Sequence, residues 1–243
     1  MLFTYWTHPA ILEPPSAKAW TDLYPDFRVF SDQDVLKIIE TEEERRLYNS
    51  IRLPAAKSDL ARLLLLRQYG GLYVDAHTGP AKAERLAATL EYLSAYEVLL
   101  FGKKWQVKLP TDFNLMNTVI GSRKSSALLG VIINKIYFNL YRQRAQEYER
   151  KSYVSYGLHS LTGTGVFVQA FFDTSSPPPR LKSEHRDQIG IVMLENNSSH
   201  GFNIYQYYGY REPGQHWSER QKSERLFMAP GDLSSTSSLV SAS

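Results

Sequence analysis

The segment from Leu60 to Val74 constrains the fold of this chain more than any other part of the sequence. It begins with an apolar run, Leu60 to Leu66, interrupted only by Arg62, and continues through Gly70-Gly71 into Leu72, Tyr73 and Val74. A helix that is apolar almost all round is buried on every side. Glycine suits the left-handed residue just past a helix end. The sequence therefore predicts a buried helix, a tight turn and a strand.

Short apolar segments alternate with longer helical stretches along the whole chain. This order is typical of an α/β layered domain and not of a bundle or a sandwich. The 243 residues, of which 43% are apolar, are enough to build one such domain with its own core. We expect a single domain over residues 1–228. Residues 229–243 are rich in serine and small side chains and are expected to form a flexible tail.

Charge and composition exclude several classes of function. The formal net charge of +3 is too small to indicate a nucleic-acid partner. The absence of cysteine excludes disulfides, thiolate nucleophiles and thiolate metal sites. No apolar stretch is long enough to span a membrane and no secretory signal is recognisable, so we expect a cytoplasmic protein. The basic run from Arg142 to Lys151 contains Glu147 and Glu149 and predicts a solvated helix face, with contact to an anionic membrane or to the acceptor as the alternative.

Two charged side chains stand at the start of the predicted helix. Ser58 is expected to cap it, and Asp59 to lie at the positive end of the helix dipole. Asp59 and Arg62 are three residues apart and share a helix face. One interpretation is an intrahelical ion pair. The other is that both groups face a cleft, where a carboxylate accepts from sugar hydroxyls and a guanidinium donates to hydroxyl or phosphate oxygen.

Asp75 and His77 follow the strand after the two glycines. Alternation along a strand directs both side chains to the same side, at the carboxyl end where open α/β sheets place their ligands. A carboxylate and an imidazole together suit a hard or borderline divalent cation. An isolated Asp-x-His pattern is also typical of a strand-end turn with a solvated histidine.

The string from Ser58 to His77 resembles the sugar-binding region of DXD-motif glycosyltransferases, which include family 32 capsular and mannosyl transferases and the glucosylating clostridial toxins. The resemblance implies a GT-A-like α/β/α sandwich around a mostly parallel, mixed central sheet. It also implies that Asp59 and Arg62 contact the donor sugar and that Tyr73 lies beside it. Asp75 would bind Mn²⁺ or Mg²⁺ together with the nucleotide diphosphate.

His77 departs from this family pattern, because it stands where the second acidic residue is usual. Imidazole is an accepted ligand for such cations, and an Asp-x-His version of the motif occurs in polypeptide GalNAc transferases. A neutral ligand leaves one more positive charge to be offset by the diphosphate. This predicts strong coupling between cation and donor binding. The alternative is a pseudotransferase that has lost metal-dependent chemistry.

Other residues resemble family positions outside this string. Trp6 closes the first predicted strand and is a candidate to stack on the nucleotide base, with ordinary core packing as the alternative. Asn114 and Asn117 lie in a later predicted strand, and either could contact the donor.

A segment near the end of the chain supplies the last candidates. His216 is the candidate for a further metal ligand, and Ser218 for a donor contact. His200 competes with His216 for the metal role. The sequence does not choose between the two histidines, since either could be an ordinary surface residue.

The resemblance and the site residues together predict a metal-dependent hexosyltransferase. The donor is expected to be a UDP- or GDP-sugar and the acceptor a hydroxyl group, with Asp59, Arg62 and Asp75 as the catalytic residues. The resemblance further implies retention of anomeric configuration. We expect a saccharide acceptor in glycan assembly of the capsule or lipopolysaccharide type. A toxin-like enzyme that modifies a protein, and a pseudotransferase that only binds sugar nucleotides, are the alternatives.

Overall fold

The computed structural model describes residues 1–8, 10–104, 114–175, 179–207, 214 and 216–229. The predicted tail therefore lies outside the described residues, apart from Ala229.

The strands are β1 (Leu2–Tyr5), β2 (Arg28–Phe30), β3 (Gly71–Val74), β4 (Gly79–Pro80), β5 (Val98–Lys103), β6 (Leu115–Ser122), β7 (Phe172–Asp173), β8 (Arg180–Leu181), β9 (Ile189–Leu194) and β10 (Phe202–Asn203). The helices are α1 (Ala17–Leu23), α2 (Asp32–Ile38), α3 (Glu42–Ser50), α4 (Pro54–Tyr69), α5 (Ala83–Leu93), α6 (Ala127–Arg150), α7 (Leu158–Leu161), α8 (Thr164–Phe171) and α9 (Trp217–Arg220).

Six of these strands form one mixed sheet in the order β2-β1-β3-β6-β5-β9. Strands β2, β1 and β3 are mutually parallel, β6 runs antiparallel to both β3 and β5, and β9 is parallel to β5. Helices α4 and α6 pack on one face, and α1 and α5 on the other. The predicted α/β layered class, with a mostly parallel but mixed sheet, is confirmed.

Helix α4 begins one turn earlier than the sequence predicted. Its N-cap is Leu53 and Pro54 occupies the first helical position, where a missing N–H costs nothing and the proline φ is already helical. The predicted cap at Ser58 is therefore wrong, and Asp59 lies in the second turn. The predicted burial on all sides is confirmed, since α4 buries residues on every face.

Two glycines turn the chain from α4 into β3. Gly70 and Gly71 have φ values of +69° and +104°. Residues other than glycine rarely adopt backbone angles in this region. A Cβ on Gly71 would lie 2.1 Å from the carbonyl oxygen of Met1. The glycine thus lets β3 approach β1 closely, and the N–H of Leu72 donates to that same carbonyl at 2.9 Å.

Arg142, Arg150 and Lys151 are exposed, as the predicted solvated face of α6 requires, and Glu147 departs from that prediction. Glu147 is fully buried. Its carboxylate accepts hydrogen bonds from the backbone N–H groups of Leu226 and Phe227 at 2.9 and 3.1 Å, which compensate for the loss of water. Glu149, two residues on, is exposed as predicted. Within the part of the chain that the structure describes, no helix combines the length and the apolar character that a membrane crossing requires.

Candidate functional site

Asp75 lies directly after β3, at the carboxyl end of the parallel strands. Its backbone N–H donates to the carbonyl of Thr118 on β6 at 2.8 Å, and its carbonyl accepts the N–H of Thr78 at 2.8 Å. The second bond closes a turn that places His77 Nε2 3.6 Å from Asp75 Oδ2. The two side chains converge as predicted. The cause is this turn and not alternation along a strand, since both residues lie beyond β3.

Arg62 connects the two carboxylates of the site. Its Nη2 lies 3.2 Å from Asp59 Oδ1, and its Nη1 lies 3.2 Å from Asp75 Oδ1. The guanidinium also donates to the carbonyl and hydroxyl of Ser58, at 3.0 and 2.9 Å, and to the carbonyl of Asn117. The contact between Arg62 and Asp59 therefore matches the first of the two interpretations, an intrahelical ion pair. Arg62 is buried, and its hydrogen-bonding groups are directed at the protein.

Tyr73 supports Asp75 from within the core. It is 1% exposed, and its hydroxyl donates to Asp75 Oδ1 at 2.6 Å. The guanidinium of Arg62 stands 4.8 Å from the centre of its ring. Burial raises the pKa of Tyr73 well above its ordinary value, so the phenol stays protonated and can donate. Since Arg62 and Tyr73 both hold Oδ1, the second oxygen of Asp75 is left facing His77.

Asp59 is buried among three partners. Besides Arg62, its carboxylate accepts from Asn117 Nδ2 at 2.7 Å and from Thr162 Oγ1 at 2.8 Å. Burial raises the pKa of Asp59 to about 6, although the Arg62 charge and the Thr162 hydrogen bond oppose the rise. The structure thus distinguishes the two predicted asparagines. Asn117 joins this cluster, whereas the carbonyl of Asn114 accepts the backbone N–H of Lys103.

Sequence reasoning missed Tyr205, which lies against His77, and Lys103, which lies against Tyr205. The ring of Tyr205 stacks on His77, with centroids 6.1 Å apart and planes 8° from parallel. Lys103, at the end of β5, places its Nζ 4.5 Å from the centre of the Tyr205 ring. The N–H of Gln206 donates to the His77 carbonyl at 3.1 Å, which fixes the Tyr205 segment. The signal in the sequence that could have identified Lys103 is its position as the last residue of an otherwise apolar strand.

Trp6 follows β1 and is half-buried. Its Nε1 donates to the carbonyl of Ile11 at 2.8 Å, and its ring stacks on His8 with centroids 5.7 Å apart. These contacts fix the orientation of the indole locally. Stacking on a nucleotide base stays a prediction for Trp6.

The late candidates take part in other contacts. His216 Nδ1 lies 2.6 Å from Ser218 Oγ at the start of α9. The carbonyl of His200 accepts from Thr89 on α5 at 3.0 Å, and His200 lines a cavity of about 810 Å³ between α5 and β9. Among the described residues, no three acidic, histidine or cysteine side chains are grouped so as to hold a metal ion. The structure therefore brings neither histidine into a three-residue set with Asp75 and His77.

Comparison with known families bears on this cluster directly. Residues 15–92 match the model of the glycosyltransferase sugar-binding region containing DXD motif. Over these residues the chain is similar to the DXD-motif glycosyltransferases. It contains Asp59, Arg62, Tyr73, Asp75 and His77, so the resemblance predicted from the sequence is confirmed over this region.

Solved structures give weaker likenesses. The PaToxG glycosyltransferase is 15% identical, with 70% of this chain and 66% of that chain covered and a TM-score of 0.39. The UDP-bound glycosyltransferase domain from the YGT toxin is 11% identical, with 79% and 55% covered and a TM-score of 0.38. The chain thus spans between about half and two thirds of these structures. No curated protein matches the sequence significantly.

Proposed function

We propose that this chain is a glycosyltransferase that moves a hexosyl unit from a nucleoside diphosphate sugar to a hydroxyl acceptor. The observation that carries the proposal is the meeting of Asp59, Arg62, Asp75 and His77 at the carboxyl end of β3, inside the region that matches the DXD family. Open α/β sheets bind their ligands at this end of the strands.

The residues present fit a divalent cation. Asp75 Oδ2 and His77 Nε2, 3.6 Å apart, would hold it with one carboxylate oxygen and one imidazole nitrogen, a donor pair that suits Mn²⁺ or Mg²⁺. When bound, the cation supplies charge neutralisation for the diphosphate. Tyr73 and Arg62 orient Asp75 for this role, because they hold its other oxygen. A single carboxylate also favours cation binding together with the donor and not alone.

The transfer breaks the bond between the anomeric carbon and the diphosphate oxygen, and the electron pair stays on the diphosphate. The acceptor oxygen forms the new bond to that carbon, and its proton is released to water. We propose retention of configuration, as the family resemblance implies. Asp59 and Arg62 act as positioning residues for Asp75, because the contacts in the structure engage them with the protein. Their direct contact with the sugar stays a prediction.

The acceptor in this proposal is a saccharide hydroxyl in cytoplasmic glycan assembly. Mass spectrometry of extracted glycans and of intact proteins after incubation with donor would test this. Sugar added to glycans supports the proposal. Sugar added only to protein would contradict it and indicate a toxin-like enzyme.

The test of the activity is release of nucleoside diphosphate from a panel of UDP- and GDP-sugars, with Mn²⁺ or with EDTA. We expect turnover with Mn²⁺ and a loss of roughly 10²-fold or more in Asp75→Asn. Asp22→Asn, which changes an exposed aspartate on α1, is the control and should keep wild-type rates. Wild-type rates in a folded Asp75→Asn protein would overturn the assignment.

His77 is the observation that favours a second candidate, a pseudotransferase that only binds sugar nucleotides. If the chain is a pseudotransferase, the same assay should show donor binding without turnover under any divalent cation.

A further inference from the structure

Lys103 is an unusual residue at the end of an apolar strand. All of β5 is buried, and Lys103 is 9% exposed. Its ammonium lies over the ring of Tyr205, whose ring also stacks on His77. Lys103 is therefore held against the same aromatic ring as one member of the Asp75–His77 pair.

Within the described residues, the charge of Lys103 is poorly compensated. None of the described carboxylates lies within 4.0 Å of its Nζ, whereas the neighbouring Lys104 is exposed and pairs with Glu195 at 2.9 Å. Burying an ammonium without a counter-ion is costly, and an aromatic face offsets only part of the cost. Burial lowers the pKa of Lys103, and the charge of Asp75 opposes that shift. An anion bound beside Lys103 would supply the missing counter-charge.

We propose that Lys103 binds the diphosphate of the donor through a direct ion pair with a phosphate oxygen, next to the Asp75–His77 pair. The proposal rests on the proposed function. His77 takes the place of a second carboxylate, so the positive charge of Lys103 balances that of Asp75, and the charges of Asp59 and Arg62 balance each other. A pocket without net negative charge does not repel a diphosphate. Lys103 therefore allows part of the diphosphate binding to occur without a divalent cation.

The experiment is calorimetric titration of UDP and GDP into the full chain in the presence of EDTA, and again with Mn²⁺. Lys103→Met is compared with the wild type and with Lys104→Met, which removes the neighbouring exposed lysine. We expect Lys103→Met to weaken binding in EDTA by about ten- to a hundredfold, the range of a charge-assisted hydrogen bond. Lys104→Met should bind as the wild type does.

The fold of the variant is checked by its melting temperature. Methionine has a similar length and needs no counter-ion, so Lys103→Met should melt no lower than the wild type. Should this variant fail to fold, Lys103→Gln takes its place. If the wild type binds UDP or GDP and the Lys103 variant binds it equally well in EDTA, this inference is overturned and the proposed function stands. If the wild type binds neither nucleotide with or without Mn²⁺, the proposed function is itself overturned.

Discussion

At the scale of single residues, Asp59 gives the site a pH dependence that can be measured. Burial raises the pKa of Asp59 to about 6, above the ordinary value of an unfolded aspartate, about 4. The folded state therefore holds its proton more tightly than the unfolded state. The stability that this confers is complete below about pH 4 and is lost as the pH rises through 6.

Asp59→Asn isolates this contribution. Between about pH 4 and 6, the free energy of unfolding of the wild type should fall relative to the variant by up to about 3 kcal/mol. Urea unfolding across this range measures it. Stability curves that run parallel for the two proteins would show that Asp59 titrates normally and is not the buried group described above.

The sequence could predict some of these residue contacts and not others. The spacing of Asp59 and Arg62 placed both on one helix face and made an ion pair one of two interpretations, because helix geometry is local. The other partners of Asp59 come from far along the chain: Asn117 is 58 residues away and Thr162 is 103 residues away. Lys103 and Tyr205 meet for the same reason. Tertiary packing brings such residues together, and no local pattern encodes it.

At the scale of elements, one ionic cluster ties the start of α4 to its neighbours. Lys57 of α4 lies 2.7 Å from Asp32, the first residue of α2. The hydroxyls of Tyr5 and Tyr48 donate to the same carboxylate at 2.5 and 2.7 Å. Burial alone would raise the pKa of Asp32, but the Lys57 charge and these hydrogen bonds outweigh it and lower the pKa. The cluster thus holds α4, and with it Asp59, against β1 and α2.

Asp32→Asn should lower the free energy of unfolding by about 1–3 kcal/mol at neutral pH, because hydrogen bonds to a charged group are lost. A lowered pKa means that this stability is present above about pH 4 and disappears as the pH falls through the folded pKa. Acid unfolding of both proteins should therefore show a difference that shrinks towards pH 3, the opposite trend to Asp59. Asp22→Asn, on the surface, should show no difference. A pH-independent gap between wild type and Asp32→Asn would contradict this account.

The sequence predicted the unit of helix α4, glycine turn and strand β3, but misplaced the start of the helix. The nearly continuous apolar run from Leu60 to Leu66 and the Gly70-Gly71 turn were local signals strong enough to place α4 and β3. The start of α4 was wrong, because Ser58 has a strong capping preference and Pro54 is the residue that begins the helix. Ser58 instead contacts Arg62 with its hydroxyl and its carbonyl.

At the scale of the whole molecule, Glu147 joins distant parts of the chain. Its buried carboxylate on α6 accepts from the backbone of Leu226 and Phe227. The same late segment reaches the chain just before α4, where the N–H of Arg52 donates to the Leu226 carbonyl at 2.8 Å. The end of the described chain is therefore bound to the domain that carries the site. The prediction of a solvated face over Arg142 to Lys151 did not include this contact of Glu147.

Glu147→Gln should reduce the free energy of unfolding by about 2–4 kcal/mol, since it weakens two charge-assisted hydrogen bonds inside the core. Glu149→Gln changes an exposed glutamate on the same helix and should alter stability by less than about 0.5 kcal/mol. Thermal and urea unfolding compare the two variants. Equal stabilities would show that the late segment is held by other contacts.

The most direct measurement is a crystal structure of the full chain with UDP or GDP and Mn²⁺. Our account predicts the diphosphate between the Asp75–His77 pair and Lys103, at the carboxyl end of β3. A nucleotide found instead in the cavity between α5 and β9, with Asp75 and His77 making no contact to it, would contradict the central claim.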